Sequence, residues 1–207
     1  MIAVVDYGVG NLYSLLCSFS HVGADAVVTR EVETLRRADR VVLPGVGAFG
    51  DAARRLRELG LDRVLRALAK EGKPFMGICL GMQLLFERSL EYGQHEGLGL
   101  IPGTVSPLTQ ALTGGQKVPH MGWNSLVLQQ PNDPLLRGVR EGDFVYYVHS
   151  YYATECENAV VASSPYGVMI PGLVRAGNVC GAQFHPEKSG EVGLRILKAF
   201  AEEADAC

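Results

Sequence analysis

A cysteine framed by glycines is the pattern in this chain with the clearest chemistry. Gly77-Ile78-Cys79-Leu80-Gly81 lies where an apolar run gives way to helical spacing, the setting of a strand-to-helix nucleophile elbow with cysteine in place of serine. Glycines two residues before and after the cysteine leave room for a sharp turn, which points the sulfur into the crevice at the carboxyl end of the strand. Unpaired amides at the helix start favour a thiolate there. The N–H of Leu80 then faces the oxygen on which charge develops when the sulfur attacks a carbonyl. With 25 glycines and 5 cysteines in 207 residues, such a string arises by chance about 0.07 times per chain. A free cysteine is more often a small buried hydrophobe, and it is the strand-helix junction that favours a nucleophile.

A thiol needs a base, and the candidate is His185 in Gln183-Phe184-His185-Pro186-Glu187. At the end of an extended strand, residues two apart share a side, so the Glu187 carboxylate is expected to reach the ring. A carboxylate on one ring nitrogen sets the tautomer and stabilises the imidazolium formed when the other nitrogen takes a proton. His-x-Glu alone is expected about 0.34 times by chance in this composition. Its weight comes from its pairing with the elbow. A third feature, Pro44-Gly45-Val46-Gly47-Ala48-Phe49-Gly50, follows an apolar strand and in a parallel sheet emerges on the same edge as the elbow. It reads as a plain strand-to-helix loop, as a phosphate-binding Gly-x-Gly-x-x-Gly, or as a turn whose N–H groups supply a second oxyanion donor. The last explains most, because the dinucleotide pattern belongs after a first strand and has no preceding proline.

The elements that must position these residues alternate in the first half of the chain. Strand-length apolar runs at 2–5, 26–29, 40–43 and 74–78 are separated by helical patterns at 12–19, 31–37, 51–70 and 80–89. Apolar strands alternating with helices indicate an α/β fold with a parallel sheet covered on both faces. Beyond Gly97, turn signals such as Pro102-Gly103 and Gly114-Gly115 separate short strand-like runs at 124–129, 143–153, 159–162, 173–175 and 179–184, several close enough to pair antiparallel. A hairpin turn is expected at Arg175-Ala176-Gly177-Asn178, and a closing helix at 191–204. The central sheet is thus expected to be mostly parallel, with an antiparallel extension in the second half. No repeat or linker divides the chain, so residues 1–207 read as one domain.

Composition narrows the function. Nineteen Lys and Arg against 22 Asp and Glu argue against a constitutive nucleic-acid or anionic-membrane binder. No apolar run approaches the ~18 residues of a membrane span, and the first residues carry no basic leader. Five scattered cysteines (Cys17, Cys79, Cys156, Cys180 and Cys207) without a Cys-x-x-Cys pair disfavour a disulfide framework and a zinc site. A cytoplasmic chain with reduced thiols, and with neither metal nor organic cofactor, is expected. The arginine-rich segment 51–70 also carries Asp51, Glu58 and Asp62 and reads as a solvated mixed-charge face.

Together these strings resemble the class I (triad) glutamine amidotransferases, whose fold is flavodoxin-like, and the resemblance spans nearly the whole chain. Finer matches are similar to the branch whose members are glutaminase subunits of a histidine-biosynthetic synthase. They include Asp6-Tyr7-Gly8-Val9-Gly10-Asn11-Leu12, Leu43-Pro44-Gly45-Val46-Gly47-Ala48-Phe49, Pro119-His120-Met121-Gly122-Trp123-Asn124 and Tyr147-Val148-His149-Ser150-Tyr151. The resemblance implies that Cys79 attacks the side-chain amide of glutamine and His185, backed by Glu187, moves the proton that releases ammonia. It implies oxyanion donors at Leu80 and in the Gly45-Val46-Gly47 turn. It further implies glutamine contacts at Gly45, Gln83 and Glu91 and along His149-Ser150-Tyr151, although segment 88–96 fits the pattern least well. For His149 and Ser150, a purely structural role in a strand stands beside this one.

The branch passes ammonia to a (β/α)₈ cyclase, with which it forms a heterodimer. An interface sealing the mouth of the site is then expected, and Trp123, Tyr146 and Lys188 are its candidates. Glycines flanking Val46 would let that peptide rest with its N–H turned away until the partner binds, an allosteric gate. The competing readings are the glutaminase subunit of another biosynthetic amidotransferase, a stand-alone cysteine hydrolase or peptidase, and a non-catalytic scaffold.

Overall fold

The computed structural model describes residues 1–203. Its elements in chain order are β1 (Ile2–Val5), α1 (Leu12–His21), β2 (Ala26–Thr29), α2 (Val32–Arg37), β3 (Arg40–Leu43), α3 (Phe49–Glu58), α4 (Leu61–Lys70), β4 (Phe75–Ile78) and α5 (Leu80–Leu85). Then follow β5 (Phe86–Ser89), β6 (His95–Glu96), β7 (Ile101–Pro107), α6 (Leu108–Ala111), β8 (His120–Ser125), β9 (Val127–Leu128), β10 (Phe144–His149) and β11 (Tyr151–Thr154). The chain continues through β12 (Val160–Pro165), β13 (Met169–Ala176), β14 (Val179–Ala182) and α7 (Gly190–Glu202).

Eight strands form the central sheet in the order β2-β1-β3-β4-β14-β13-β12-β9. From β2 to β14 neighbours run parallel, and from β14 to β9 they run antiparallel. β1, β3 and β4 are buried along their whole length, as strands covered on both faces must be. Their side chains alternate between two cores: Ala3, Val5, Val41, Leu43 and Phe75 pack with Leu35, Leu56 and Leu65 of α2, α3 and α4. Ile2, Val4, Val42, Met76 and Ile78 pack on the other face with Phe19 of α1 and Ile196 and Phe200 of α7. The turn between β13 and β14 is the expected hairpin, with Ala176 opposite Val179 and Gly177 at φ 58°.

Four expected elements come out differently. The helix expected over 80–89 stops at Leu85, and 86–89 is strand β5. The carbonyls of Leu84, Leu85 and Phe86 accept from the amides of Leu98, Leu100 and Gly99, so an outside segment occupies the acceptors that the next helical turn would use. A Cβ on Gly97 would lie 2.1 Å from the Phe86 carbonyl oxygen, which makes this approach possible only for glycine. Segment 51–70 is two helices, α3 and α4, divided at Gly60 with φ 67°. The run 124–129 is the end of β8 and all of β9. The run 143–153 is β10 and β11, which break at Ser150 and join different sheets: β10 pairs with β8, and β11 with β7. The expected solvated mixed-charge face holds for Arg54, with Nη2 2.6 Å from Asp51, and Arg55, with Nη1 3.4 Å from Glu58, whereas Arg57 and Arg66 donate to the Glu96 and Gly97 carbonyls, each at 2.7 Å, and tie α3 and α4 to that segment. Ala204 and Cys207 lie outside the described residues; Cys17, Cys79, Cys156 and Cys180 are free thiols.

Candidate active site

Cys79 sits between β4 and α5 with φ 55° and ψ −112°, a conformation that an L residue adopts only under constraint. The constraint is visible on both sides. Cys79 N donates to the Ala182 carbonyl of β14 at 2.7 Å, and Gln83 N donates to the Cys79 carbonyl at 3.1 Å. The flanking glycines are required by close approach. A Cβ on Gly77 would lie 2.6 Å from the Gly81 carbonyl oxygen, and one on Gly81 would lie 1.8 Å from that of Leu43. Leu80 opens α5, so its N–H has no intrahelical acceptor.

The glycine-rich turn interlocks with this elbow. Beneath it, a Cβ on Gly45 would meet the Tyr7 hydroxyl at 2.6 Å and Gly81 N at 2.9 Å. The Tyr7 hydroxyl donates to the Pro44 carbonyl at 2.8 Å, and burial raises that phenol's pKa. At the tip, Val46 is exposed and Gly47 has φ 97°. The turn therefore has a fixed base and a tip free of packing.

His185 follows β14, the neighbour of β4, so the two ends of adjacent parallel strands bring it to Cys79. His185 N donates to the Tyr146 carbonyl at 3.0 Å, and its own carbonyl accepts from Ser189 Oγ at 2.7 Å. Glu187 Oε1 lies 2.8 Å from His185 Nδ1. This contact does not arise from an extended strand, as expected from the sequence: Pro186–Lys188 is a turn of 3₁₀ helix, and it folds the carboxylate back beneath the ring. Burial disfavours a charged ring, but hydrogen bonds with the Cys79 and Glu187 side chains outweigh it and push His185 up to about 10. The Glu187 side chain is itself buried, and its Oε2 has no hydrogen-bond partner among the described residues, which leaves the His185 ring as its hydrogen-bond partner through Oε1.

A cleft of about 520 Å³ opens over this cluster. Of the residues expected at the site, Val46, Gly47, Cys79, Leu80, Gln83, Glu91, His149, Ser150, Tyr151 and His185 line it. Gly45 and Glu187 lie behind the wall. Gln83 is buried, with Nε2 donating to the Tyr151 carbonyl and to Gln183 Oε1, each at 3.0 Å, so what it offers a ligand is Oε1. Glu91 Oε2 accepts from Phe49 N at the start of α3 at 2.6 Å. The His149 ring is committed to the protein: Nδ1 lies 2.8 Å from the Tyr151 carbonyl and Nε2 lies 2.9 Å from His120 Nδ1. Burial lowers His149 to about 3 and His120 to about 4, so both rings are neutral.

Sequence reasoning passed over several residues here. Tyr92, Val118, Pro119 and Val148 also line the cleft, and Gln183 underlies it with Nε2 3.9 Å from Cys79 Sγ. Only Gln183 had a signal, its place two residues before His185. Trp123, Tyr146 and Lys188 lie outside the cleft. Trp123 and Tyr146 face each other across β8 and β10, with ring centroids 6.0 Å apart. Exposed Met121 and Phe144 extend the same apolar face, and Val148 carries it to the cleft. Lys188 is exposed.

Among the described residues, no cluster of three or more His, Cys, Asp or Glu side chains could hold a metal ion. No helix of the described residues is long and apolar enough to cross a membrane.

Known proteins resemble this chain in sequence and in fold. Residues 3–204 match the family profile "Glutamine amidotransferase class-I". The chain is 49% identical over 203 residues to the "Imidazole glycerol phosphate synthase subunit HisH" of Oceanobacillus iheyensis, covering 98% of both chains. It is 52% identical over 205 residues to the protein of the same description from Bacillus licheniformis, covering 98% of this chain and 96% of that one. Among solved structures, a glutamine amidotransferase superposes with a TM-score of 0.74 at 21% identity, over 97% of this chain and 99% of that one. The structure of PurLQS from Thermotoga maritima superposes with a TM-score of 0.73 at 21% identity, over 96% of each chain. A family profile matched over residues 3–204 and full-length relatives at about half identity agree with the shared fold: the chain belongs to the class-I glutamine amidotransferase family.

Proposed function

We propose that this chain is the glutaminase subunit of an imidazole glycerol phosphate synthase and works as a single amidotransferase domain with Cys79, His185 and Glu187 as its triad. Two observations support the reading: full-length similarity to such subunits, and a histidine backed by a carboxylate at 2.8 Å just past the strand that runs beside the one leading into Cys79.

Cys79 Sγ attacks the side-chain carbonyl carbon of glutamine, and the carbonyl oxygen takes the charge. Leu80 N–H and an N–H of the Val46-Gly47 turn stabilise that oxygen, each by about 3–4 kcal/mol in the transition state. The protonated His185 ring gives its proton to the leaving nitrogen, the carbon–nitrogen bond breaks, and ammonia departs from a thioester. Water then attacks the thioester, His185 takes its proton, and the carbon–sulfur bond breaks to release glutamate and restore the sulfur. Gln83 Oε1, the Glu91 carboxylate and the backbone from His149 to Tyr151 hold the α-amino and carboxylate end of glutamine, with Gly45 shaping the floor.

Ammonia passes to a (β/α)₈ cyclase that uses it to form imidazole glycerol phosphate and aminoimidazole carboxamide ribonucleotide in histidine biosynthesis. The cyclase docks over the apolar face carrying Trp123 and Tyr146, joined by Met121 and Phe144, with Lys188 at its edge, and its binding biases the Val46-Gly47 peptide toward the oxyanion. The same reading puts the heterodimer in a reducing cytoplasm, in keeping with five scattered cysteines.

The test is treatment with a glutamine analogue that alkylates thiols, with adduct mapping, beside glutamate release measured with and without the cyclase and its nucleotide. Labelling at Cys79 and release dependent on the cyclase are expected. An adduct on another cysteine would overturn the site, and full release by the isolated chain would favour a stand-alone hydrolase.

A further inference from the structure

We propose that Gln183 is a further group on the reacting sulfur: its side-chain amide donates a hydrogen bond to Cys79 Sγ and holds it as a thiolate, aimed into the cleft. This rests on the reading of Cys79 as the nucleophile.

The direction of the bond follows from a backbone carbonyl. The Tyr151 oxygen can only accept, so the Gln83 group 3.0 Å from it is the NH₂. The same nitrogen lies 3.0 Å from Gln183, so the Gln183 atom there is the acceptor, Oε1. That leaves the Gln183 NH₂ as the end facing sulfur, at 3.9 Å. Gln183 is fully buried, and the Gln83 amide engages its Oε1 at 3.0 Å, so its side-chain amide is not free to turn over. A buried NH₂ needs an acceptor, and a thiolate is a far better one than a thiol.

The Tyr151 carbonyl orders a second branch by the same logic. It accepts from His149 Nδ1, which makes His149 Nε2 the acceptor for His120 Nδ1–H. His120 Nε2 in turn accepts from Asn124 Nδ2 at 3.3 Å. The titratable groups around the sulfur are His185, with Glu187 behind it, and the Tyr7 phenol, and Glu91, Tyr92, His149 and Tyr151 line the same cleft. Each of these can change charge, whereas Gln183 remains a donor at every pH.

The experiment measures the pH dependence of iodoacetamide alkylation at Cys79, mapped by mass spectrometry, in the complex with the cyclase. Wild type, Gln183→Met and Gln183→Glu are compared, with kcat and KM for glutamine measured in parallel. Loss of the donor in Gln183→Met is expected to raise the alkylation midpoint by about one pH unit, a tenfold slower reaction below it, and to lower kcat more than KM. Gln183→Glu, which keeps an acceptor for Gln83 but sets a carboxylate against the sulfur, is expected to move the midpoint further and carries the test if the Met variant does not fold. An unchanged midpoint in the folded variants overturns the role of Gln183 alone. Failure of the wild-type Cys79 to react overturns the nucleophile itself.

Discussion

Two buried histidine clusters adjoin the same cleft, and one is charged while the other is neutral. His185 is pushed up to about 10, whereas His149 and His120 are held down at about 3 and 4. Burial acts against charge in all three. What differs is the group behind each ring. Glu187 supplies an anion to His185 Nδ1 at 2.8 Å. His149 has a neutral carbonyl at one nitrogen and another imidazole at the other. His120 is stacked between Tyr147 and Tyr166, with centroids 4.6 and 3.9 Å away. Hydrogen-bond partners, not depth, decide which histidine holds a proton and which stays neutral. The neutral pair also spares the charged one, because a positive His149 would repel the His185 imidazolium.

The sharpest way to break this contrast is to remove the group that the charged ring serves. Cys79→Ser is expected to lower cyclase-dependent glutamate release by about 10⁴-fold or more, with binding of the cyclase unchanged. Glu187→Gln strips the anion but keeps the shape, and a drop of about 10²–10⁴ in kcat is expected, with the alkaline limb of the pH–rate profile moved to lower pH. Rates with each variant complex check both.

Stability against pH separates the clusters without any substrate. His185 has a folded pKa above its unfolded value, so its contribution is complete below about 6.5 and is lost as pH rises toward about 10. His149 and His120 have folded values below 6.5, so their neutral packing favours the fold above that pH and opposes it as pH falls toward 4 and 3. Denaturant midpoints across pH are expected to show both limbs, with Glu187→Gln flattening the alkaline one and His149→Gln the acidic one. The smallest effect is expected away from both clusters: Trp123→Ala should weaken cyclase binding by about 2 kcal/mol, read by titration calorimetry, while Cys79 alkylation in the isolated chain stays unchanged.

How much of this was legible beforehand differs by element. The strands at 2–5 and 40–43 were readable as short apolar runs buried on both faces, and the half-buried edge strand at 26–29 as a β-branched run bounded by turn and helix signals. The segment 80–89 was not, because Leu84 and Leu85 continue a helical pattern whose acceptors are taken by Leu98 and Leu100, more than ten residues on. Ser150 broke an apparent strand for the same kind of reason: the two halves pair with β8 and β7, and local sequence carries no record of which partner a strand finds. The Cys79 elbow was readable because glycine is the only residue that its close approaches admit. The place of Gln183 two residues before His185 was legible, but its role and that of His120 were not, since an amide or an imidazole acquires a role only from what lies opposite.

The amino-acid order alone determined where a strand must turn sharply around a cysteine, and that a histidine and a carboxylate stand two positions apart, because both are short-range facts of spacing and steric allowance. Only the tertiary structure decided that β14 lies beside β4, that a 3₁₀ turn folds Glu187 under His185, and that a carbonyl at Tyr151 orients the amides and imidazoles between them. Protonation and hydrogen-bond direction depend on the nearest atoms in space, and those come from parts of the chain as much as 104 residues apart at this site.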